Sequence, residues 1–152
     1  MEESKSTIIP TPLGDLYAVA DPFRLHLLTF EIGNIPAGKN GILNQLELEL
    51  EQYFLGKLRA FKTPLLLRGT PFQIDVWNEL LKIPFGTRCS YREIAKKLNN
   101  SNASRAVGNA NGKNPFAILV PCHRVIAKST LGGYRYGIGR KKWLLKFERI
   151  HS

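Results

Sequence analysis

The sequence predicts an α+β protein with a small N-terminal α+β domain over residues 1–57, a linker over 58–69 and a helical C-terminal domain over 70–152. Three observations predict this division. Strand-like runs and one helix fill the first third, helix start and stop signals fill the second half, and the net charge changes sign between them. The 152 residues, 43% of them apolar, are enough to bury two small cores.

The N-terminal domain begins with two predicted strands. Leu16–Ala20 and residues 25–32 have strand-like apolar content, and Asp21-Pro22 separates them, which predicts a hairpin or meander. Residues 32–40 are rich in Gly, Pro and Asn and predict a loop. Apolar residues then recur at helical spacing from 42 to 54, so we expect a helix that covers the sheet.

The C-terminal domain opens with a well-marked helix. Thr70 is a predicted N-cap and Pro71 occupies the first helical position, where its missing N–H costs nothing. Apolar residues form one face of this helix, and residues 84–86, Pro-Phe-Gly, predict its end.

A helix-turn-helix is predicted next. Ser90 and Glu93 form a capping box that opens one helix, residues 99–102 form a polar turn, and a second helix covers 103–112. The second helix has few bulky side chains, although Gly in a helix costs about 1 kcal/mol relative to Ala. Close approach to a partner and packing against another helix are both open explanations.

A candidate nucleophile follows the helix-turn-helix. The apolar run over 116–120 predicts a short buried strand that delivers Cys122, with His123 and Arg124 directly after it. A thiol must ionise to react, and a neighbouring base or cation favours the thiolate. Cys89 is instead expected to be a small core residue without chemistry.

The charge distribution indicates which class of molecule binds near this thiol. The chain carries 22 Lys and Arg against 12 Asp and Glu, a net charge of +10. No acidic residue lies between Glu93 and Glu148, and this stretch holds eleven Lys or Arg. A solvated basic face is the plainer explanation, but so long an acid-free stretch favours a polyanion such as nucleic acid.

Other features bound the class of protein. Two distant cysteines cannot form a disulfide framework, which indicates a reducing compartment. The N-terminus lacks a signal-peptide pattern and no apolar run is long enough to span a membrane, so we expect a soluble, intracellular protein. The three histidines are scattered, and no metal site is expected.

Several segments together carry a family resemblance. They are Pro71-Phe72 to Trp77, Ile83-Pro84-Phe85-Gly86, Ser90-Tyr91, Ser104-Arg105-Ala106-Val107-Gly108, Lys113-Asn114-Pro115, Pro121-Cys122-His123-Arg124-Val125-Ile126, Gly133-Tyr134 and Leu144-Leu145 to Glu148. In order and spacing this set resembles the O6-alkylguanine-DNA alkyltransferase family. The resemblance implies a ribonuclease H-like N-terminal domain and a C-terminal domain with a winged helix-turn-helix and a short strand carrying the active Cys.

The resemblance also implies a function. A protein of this family transfers the alkyl group irreversibly from O6 of guanine in duplex DNA to Cys122, in one turnover and without a cofactor. Activity on O4-alkylthymine is a further possibility for the family. We expect a monomer that binds the minor groove, without a membrane, in the cytoplasm or, in a eukaryote, the nucleus.

Catalytic roles follow from the resemblance for Cys122, His123, Glu148 and Tyr91. Glu148 would orient the imidazole, and Tyr91 would donate to N3 of the departing guanine. Neighbouring side chains on a strand point to opposite faces, so we expect a water molecule to bridge Cys122 and His123.

DNA contacts are implied for Arg105, Ser104, Ala106, Gly108 and Tyr91. Arg105 matches the residue that fills the gap left by an extruded nucleotide, an extrusion that costs a few kcal/mol. The small-residue helix would then lie in the minor groove.

The substrate pocket is implied to involve Asn114, Val125, Gly133, Tyr134 and Arg135. Asn114 would tie the helix-turn-helix to the Cys strand, and Tyr134 would form a wall of the alkyl pocket. Arg135, like its neighbour at position 136, departs from the small residues usual after that tyrosine, which leaves the pocket shape open.

Two other classes would also use these features. A Cys-His hydrolase would use the same dyad, but the sequence announces no oxyanion hole and multiple turnover would reveal it. A DNA-binding module of the same fold would lack the nucleophile, and the presence of Cys122 argues against it.

Overall fold

The computed structural model describes residues 3–33 and 36–152, which divide into two compact units over 1–67 and 68–152. The first unit has strands β1 (Lys5–Ile9), β2 (Leu16–Ala20) and β3 (Leu25–Thr29) and helix α1 (Gly41–Phe54). The strands form an antiparallel sheet in the order β1-β2-β3. The second and third strands were predicted, whereas the first was missed because its sequence, KSTII, alternates too weakly.

Helix α1 packs one face into the core of this unit. The Asn40 side chain caps the helix by accepting from the N–H of Leu43 at 3.0 Å. The predicted apolar face is confirmed by its buried residues, Leu43, Leu46, Leu50 and Tyr53. Of the loop predicted over 32–40, residues 34 and 35 lie outside the described residues.

The second unit is mostly helical. It contains α2 (Pro71–Leu80), α3 (Tyr91–Lys97), α4 (Ser104–Gly112) and α5 (Ile138–His151), with a parallel ladder between β4 (Cys89–Ser90) and β5 (Val125–Ile126). Both predicted caps are confirmed, since Thr70 and Ser90 each form a capping box. Helices α3 and α4 form the predicted helix-turn-helix, and the α+β class is confirmed.

A buried hydrogen bond fixes the small-residue helix against its neighbour. The Trp77 indole on α2 donates to the carbonyl of Ala110 on α4 at 2.9 Å. Because this carbonyl lies near the C-terminal end of α4, the bond also positions the segment that leads to Cys122.

Candidate active site

The cysteine singled out by the sequence lies in a turn. Cys122 begins a single 3-10 turn, Cys122–Arg124, and β5 follows directly. The predicted strand over 116–120 is not formed, because its backbone folds into successive turns. The N–H groups of Leu119 and Cys122 each bond the carbonyl two residues earlier, and Ile118 has a φ of 70°.

Asn114 holds these turns together from inside. Its Nδ2 donates to the carbonyls of Phe116 at 3.2 Å and Val120 at 2.7 Å, and its Oδ1 accepts from the N–H of Phe116 at 2.9 Å. Asn111, on the last turn of α4, places its Nδ2 3.4 Å from the carbonyl of Cys122. The helix-turn-helix is thus connected to the cysteine turn by amide side chains.

The Cys122 thiol is buried and protonated at rest. Its residue is 2% exposed. Burial raises the pKa of the thiol to about 11, while the Asn114 side chain and the charges of Lys141 and Arg135 act in the opposite direction. At neutral pH only about one molecule in ten thousand therefore carries a thiolate, so a base must remove the proton.

His123 stands beside the thiol in the chain and is fully buried. Its Nε2 lies 2.8 Å from Oε2 of Glu148 on α5. A carboxylate can only accept, so Nε2 carries the proton and the neutral ring presents Nδ1 as its acceptor. Nδ1 is buried and makes no hydrogen bond within the protein, which leaves it available as a base.

Arg124, the cation next to His123 in the sequence, is directed at Glu148. Its Nε and Nη2 donate to the two oxygens of Glu148 at 2.8 and 2.9 Å, and its Nη1 donates to the carbonyl of Ile83 at 2.7 Å. The guanidinium also lies 5.8 Å from the centroid of the Phe85 ring. Arg124 therefore acts on the carboxylate that holds His123.

The cluster keeps the carboxyl ionised and the imidazole neutral. Burial opposes ionisation of Glu148, but hydrogen bonds from His123 and Arg124 outweigh it and lower its pKa well below the usual value. Burial lowers the pKa of His123, partly offset by Glu148. Nδ1 is thus unprotonated at rest, and Glu148 stabilises the imidazolium once His123 takes a proton.

Tyr91, the first residue of α3, lies close to the two glycines of the 132–133 segment. Burial raises the pKa of its hydroxyl, while a hydrogen bond to the backbone of Gly133 acts in the opposite direction. Gly132 has a φ of 72°, and a Cβ there would lie 2.8 Å from the Tyr91 oxygen. Only glycine fits this approach, and the protonated phenol remains able to donate.

A lysine on α5 binds the backbone that follows the cysteine turn. Lys141 on α5 is fully buried, and its Nζ donates to the carbonyls of Val125 at 2.6 Å and Gly133 at 2.9 Å. These bonds join the strand after the cysteine to the glycine segment that approaches Tyr91. Val125 itself is fully buried.

Tyr134 and Arg135, both expected to line the substrate pocket, differ in burial and in hydrogen bonding. The Tyr134 oxygen is buried without a protein partner, and burial together with Cys122 raises its pKa well above the usual value. Its ring meets the Tyr136 ring edge-on at 5.6 Å between centroids. Arg135 is exposed, and its Nη1 donates to the carbonyl of Asn114 at 3.3 Å.

Four of the five residues expected to contact DNA lie on α4, and the fifth, Tyr91, opens α3. Arg105 and Ala106 are exposed, Ser104 and Gly108 are half-buried, and the inward face is formed by Val107, Ala110 and Asn111. The inner face of this helix thus connects to the cysteine turn through Asn111, while the predicted contact residues lie on its accessible side.

Sequence reasoning missed Lys141 and Asn111 and gave no direction for Arg124. A signal for Lys141 existed, because it precedes Glu148 by seven residues and so shares one face of α5 with it. No sequence signal distinguished an Arg directed at Glu148 from one directed at the sulfur.

Across residues 3–33 and 36–152, no group of three His, Cys, Asp or Glu side chains could hold a metal ion. None of the helices in that part of the chain is long and apolar enough to span a bilayer.

Comparisons with known proteins agree with one another. A family model described as the DNA binding domain of 6-O-methylguanine DNA methyltransferase matches residues 71–150. A probable methylated-DNA–protein-cysteine methyltransferase of Acanthamoeba polyphaga mimivirus is 41% identical over 97% of this chain and 99% of the relative. A methylated-DNA–protein-cysteine methyltransferase of Methanosarcina acetivorans is 41% identical over 93% of this chain and 96% of its own.

Solved structures give the same result. The crystal structure of Mycobacterium tuberculosis O6-methylguanine methyltransferase has a TM-score of 0.90 and 39% identity, and covers 99% of this chain and 95% of its own. A structure of the protein from the same organism in complex with DNA has a TM-score of 0.87 and 42% identity, over 95% of this chain and 92% of its own.

Proposed function

The chain belongs to the O6-methylguanine DNA methyltransferase family, and we propose that it repairs DNA by transferring the alkyl group from O6 of guanine to Cys122. One observation carries the assignment to this cysteine. A buried thiol adjoins a neutral imidazole whose Nε2 is held by Glu148 and whose Nδ1 has no protein partner. In this arrangement the thiol is protonated at rest and loses its proton to the imidazole only during the reaction.

The first step is removal of the thiol proton. Adjacent side chains in a 3-10 turn point about 120° apart, so a bridging water carries the proton from Cys122 to Nδ1 of His123. The resulting imidazolium is stabilised by Glu148, which Arg124 keeps ionised. Arg124 thereby supports the base without touching the sulfur.

The second step is substitution at the alkyl carbon. The thiolate attacks in line, the S–C bond forms, and the C–O6 bond breaks with its electron pair left on guanine. The Tyr91 phenol gives its proton to N3, so guanine departs neutral. The phenolate regains a proton as the His123 imidazolium returns to its neutral form. The product thioether has no low-energy return to thiol, so each protein acts once.

The flipped base enters beside Tyr91. A cleft of about 530 Å³ opens there, and its lining consists of Ser90, Tyr91, Arg92, Ser104, Ile126, Ala127 and Lys128. This volume lies within the range of small-molecule pockets. Two basic side chains in the lining suit the phosphates of an extruded nucleotide. The remaining pocket groups are those of Asn114, Val125, Gly133, Tyr134 and Arg135.

Helix α4 is the DNA-contacting surface. An added Cβ at Gly108 would only reach ordinary contact with the Tyr91 ring at 3.9 Å, and one at Gly112 would meet nothing within 4 Å. Packing inside the chain therefore does not require Gly108, although Gly inside a helix costs about 1 kcal/mol relative to Ala. Close approach of a DNA backbone accounts for Gly108, and Arg105 fills the gap left in the base stack.

We further propose that a monomer binds the minor groove and works in the cytoplasm or nucleus. Small residues and one long cation on α4 support the minor-groove mode. Displacement by netropsin, but not by a major-groove ligand, tests the groove. Sedimentation of the DNA complex tests the stoichiometry, and a complex with several proteins per short duplex would contradict the monomer.

The direct test is intact-mass analysis after incubation with duplex DNA containing O6-methylguanine. The parent protein and Cys89→Ser should gain one methyl group on Cys122, whereas Cys122→Ser should gain none and still bind DNA. A pure DNA-binding module would remain unmodified in all three. A methyl group on any other residue would overturn the assignment.

A further inference from the structure

Lys141 is a buried cation whose partners are all neutral. It is fully buried, and its ammonium donates to the carbonyls of Val125 and Gly133. No carboxylate among the described residues lies within ion-pair distance of it. Burying an unpaired charge is costly, so a buried ammonium that bonds the strand directly after the cysteine turn indicates a partner that is charged only during the reaction.

The groups around Lys141 identify that partner. Burial lowers the pKa of Lys141 to about 8, with Cys122 acting in the opposite direction and the like charge of Arg88 adding to the lowering. The carboxylate on the same helix, Glu148, is already bound by His123 and Arg124. An ammonium has three N–H donors and the two carbonyls use two, which leaves one donor.

The groups around the Cys122 sulfur also indicate Lys141 as its partner. Besides the Asn114 amide, the charges that favour its ionisation are those of Lys141 and Arg135, with Lys141 the stronger. Tyr91 and Tyr134, whose pKa values are raised by burial and by Cys122, are protonated phenols, and His123 is neutral. Arg135 is exposed and bonded to the Asn114 carbonyl, so water screens it. Of these two cations, Lys141 and Arg135, only Lys141 is buried.

We propose that Lys141 is the counter-ion of the Cys122 thiolate, a positioning residue that stabilises the sulfur charge during the alkyl transfer described above. This inference rests on the proposed function. When the thiol proton leaves, the thiolate and the ammonium form a pair. When the S–C bond forms, the sulfur becomes neutral and Lys141 loses its partner. Transfer thus removes the charge that stabilises the buried lysine.

The reaction of the protein with iodoacetamide tests this without DNA. The rate of Cys122 alkylation is measured against pH for the parent, Lys141→Met, Lys141→Arg and the exposed neighbour variant Lys142→Met. Each is carried in a Cys89→Ser background. We expect the kinetic pKa of the thiol to rise by at least one unit in Lys141→Met, so the rate near pH 8 falls about tenfold and recovers at higher pH. Lys141→Arg should retain most of the rate, and Lys142→Met all of it.

A clamp that only holds two carbonyls would lower the rate equally at every pH. An unchanged kinetic pKa in Lys141→Met would therefore overturn the proposal. Because iodoacetamide needs no DNA, failure here is distinct from failure of alkyl transfer, which is read from the methylated duplex.

A second measurement covers the case in which Lys141→Met does not fold. NMR titration of the lysine side chains compares the parent with Cys122→Ser. The parent thiol is itself protonated over most of this titration, so the effect is read at high pH, where ionisation of Cys122 should keep part of Lys141 charged in the parent but not in Cys122→Ser. An identical Lys141 titration in the two proteins would contradict the counter-ion role.

Discussion

The two units bury different kinds of polar side chain. Among the described residues, those buried in the first unit are hydroxyls, Ser6, Thr7, Thr29 and Thr63, whereas those in the second are Asn111, Asn114, His123, Arg124, Lys141 and Glu148. A hydroxyl is readily satisfied by nearby backbone, but each buried ion costs several kcal/mol to desolvate. Apolar replacements would stabilise the second unit at least as well, so its buried ions indicate chemistry rather than stability.

The largest expected difference between the units concerns one glutamate in each. Glu148→Gln removes the charge that pairs with buried Arg124 and should lower the free energy of unfolding by about 3–5 kcal/mol. Glu49→Gln is the matched control, because Glu49 accepts from the N–H groups of Lys62 and Thr63 in a part-exposed loop. It should cost only about 1 kcal/mol.

Denaturant unfolding followed by circular dichroism measures both variants. Tryptophan fluorescence isolates the second unit, since both tryptophans, Trp77 and Trp143, lie there. Equal losses for the two variants would remove the distinction between a buried ion cluster and a loop cap.

Within the second unit, Arg105 separates base extrusion from chemistry. Extrusion costs a few kcal/mol, and Arg105→Ala should slow repair of duplex DNA by about tenfold to a hundredfold, since 1.4 kcal/mol is tenfold in rate. Free O6-benzylguanine needs no extrusion and should react with Cys122 at nearly the parent rate. Lys96→Ala, an exposed cation on α3, is the control. Equal damage to both reactions would instead assign Arg105 to the pocket or the fold.

The smallest expected difference is in acid sensitivity. The folded pKa of His123 lies below its ordinary value of 6.5, so the unfolded chain binds more protons and stability falls as the pH drops below 6.5. Glu148 acts in the same direction below 4.5. In the first unit the hydrogen bond from His26 lowers the pKa of Asp21 from 3.8 to about 2. The stability that ionised Asp21 contributes is therefore lost only below about pH 4.

Thermal unfolding between pH 7 and 5 checks this order. The tryptophan signal of the second unit should shift to lower temperature over that range. A constant midpoint there would mean that His123 is not held neutral by burial.

The local elements were predictable because their signals are short-range. The capping boxes of Thr70 and Ser90 and the spacing in α1 depend on residues three or four apart. The turns over 116–121 were not predictable, because the side chain of Asn114 and the left-handed Ile118 decide them against the strand preference of an apolar run.

The site shows the same limit. Cys122 and His123 were singled out by their position after an apolar run, whereas Glu148 and its contact with His123 were expected from the family resemblance. The direction of Arg124 and the two carbonyl bonds of Lys141 depend on α5 packing against the cysteine turn, and the spacing shows only that Lys141 shares a helix face with Glu148. Long-range packing, rather than composition, therefore completed the site.

The most direct test is an end-point titration with excess duplex DNA containing O6-methylguanine. Repaired guanines are counted for each mole of protein, and the thiol of Cys122 is assayed at the end. The mechanism predicts that repair stops at one guanine per protein, with Cys122 fully converted to S-methylcysteine. Continued repair beyond that point, or repair that leaves the Cys122 thiol unmodified, would contradict it.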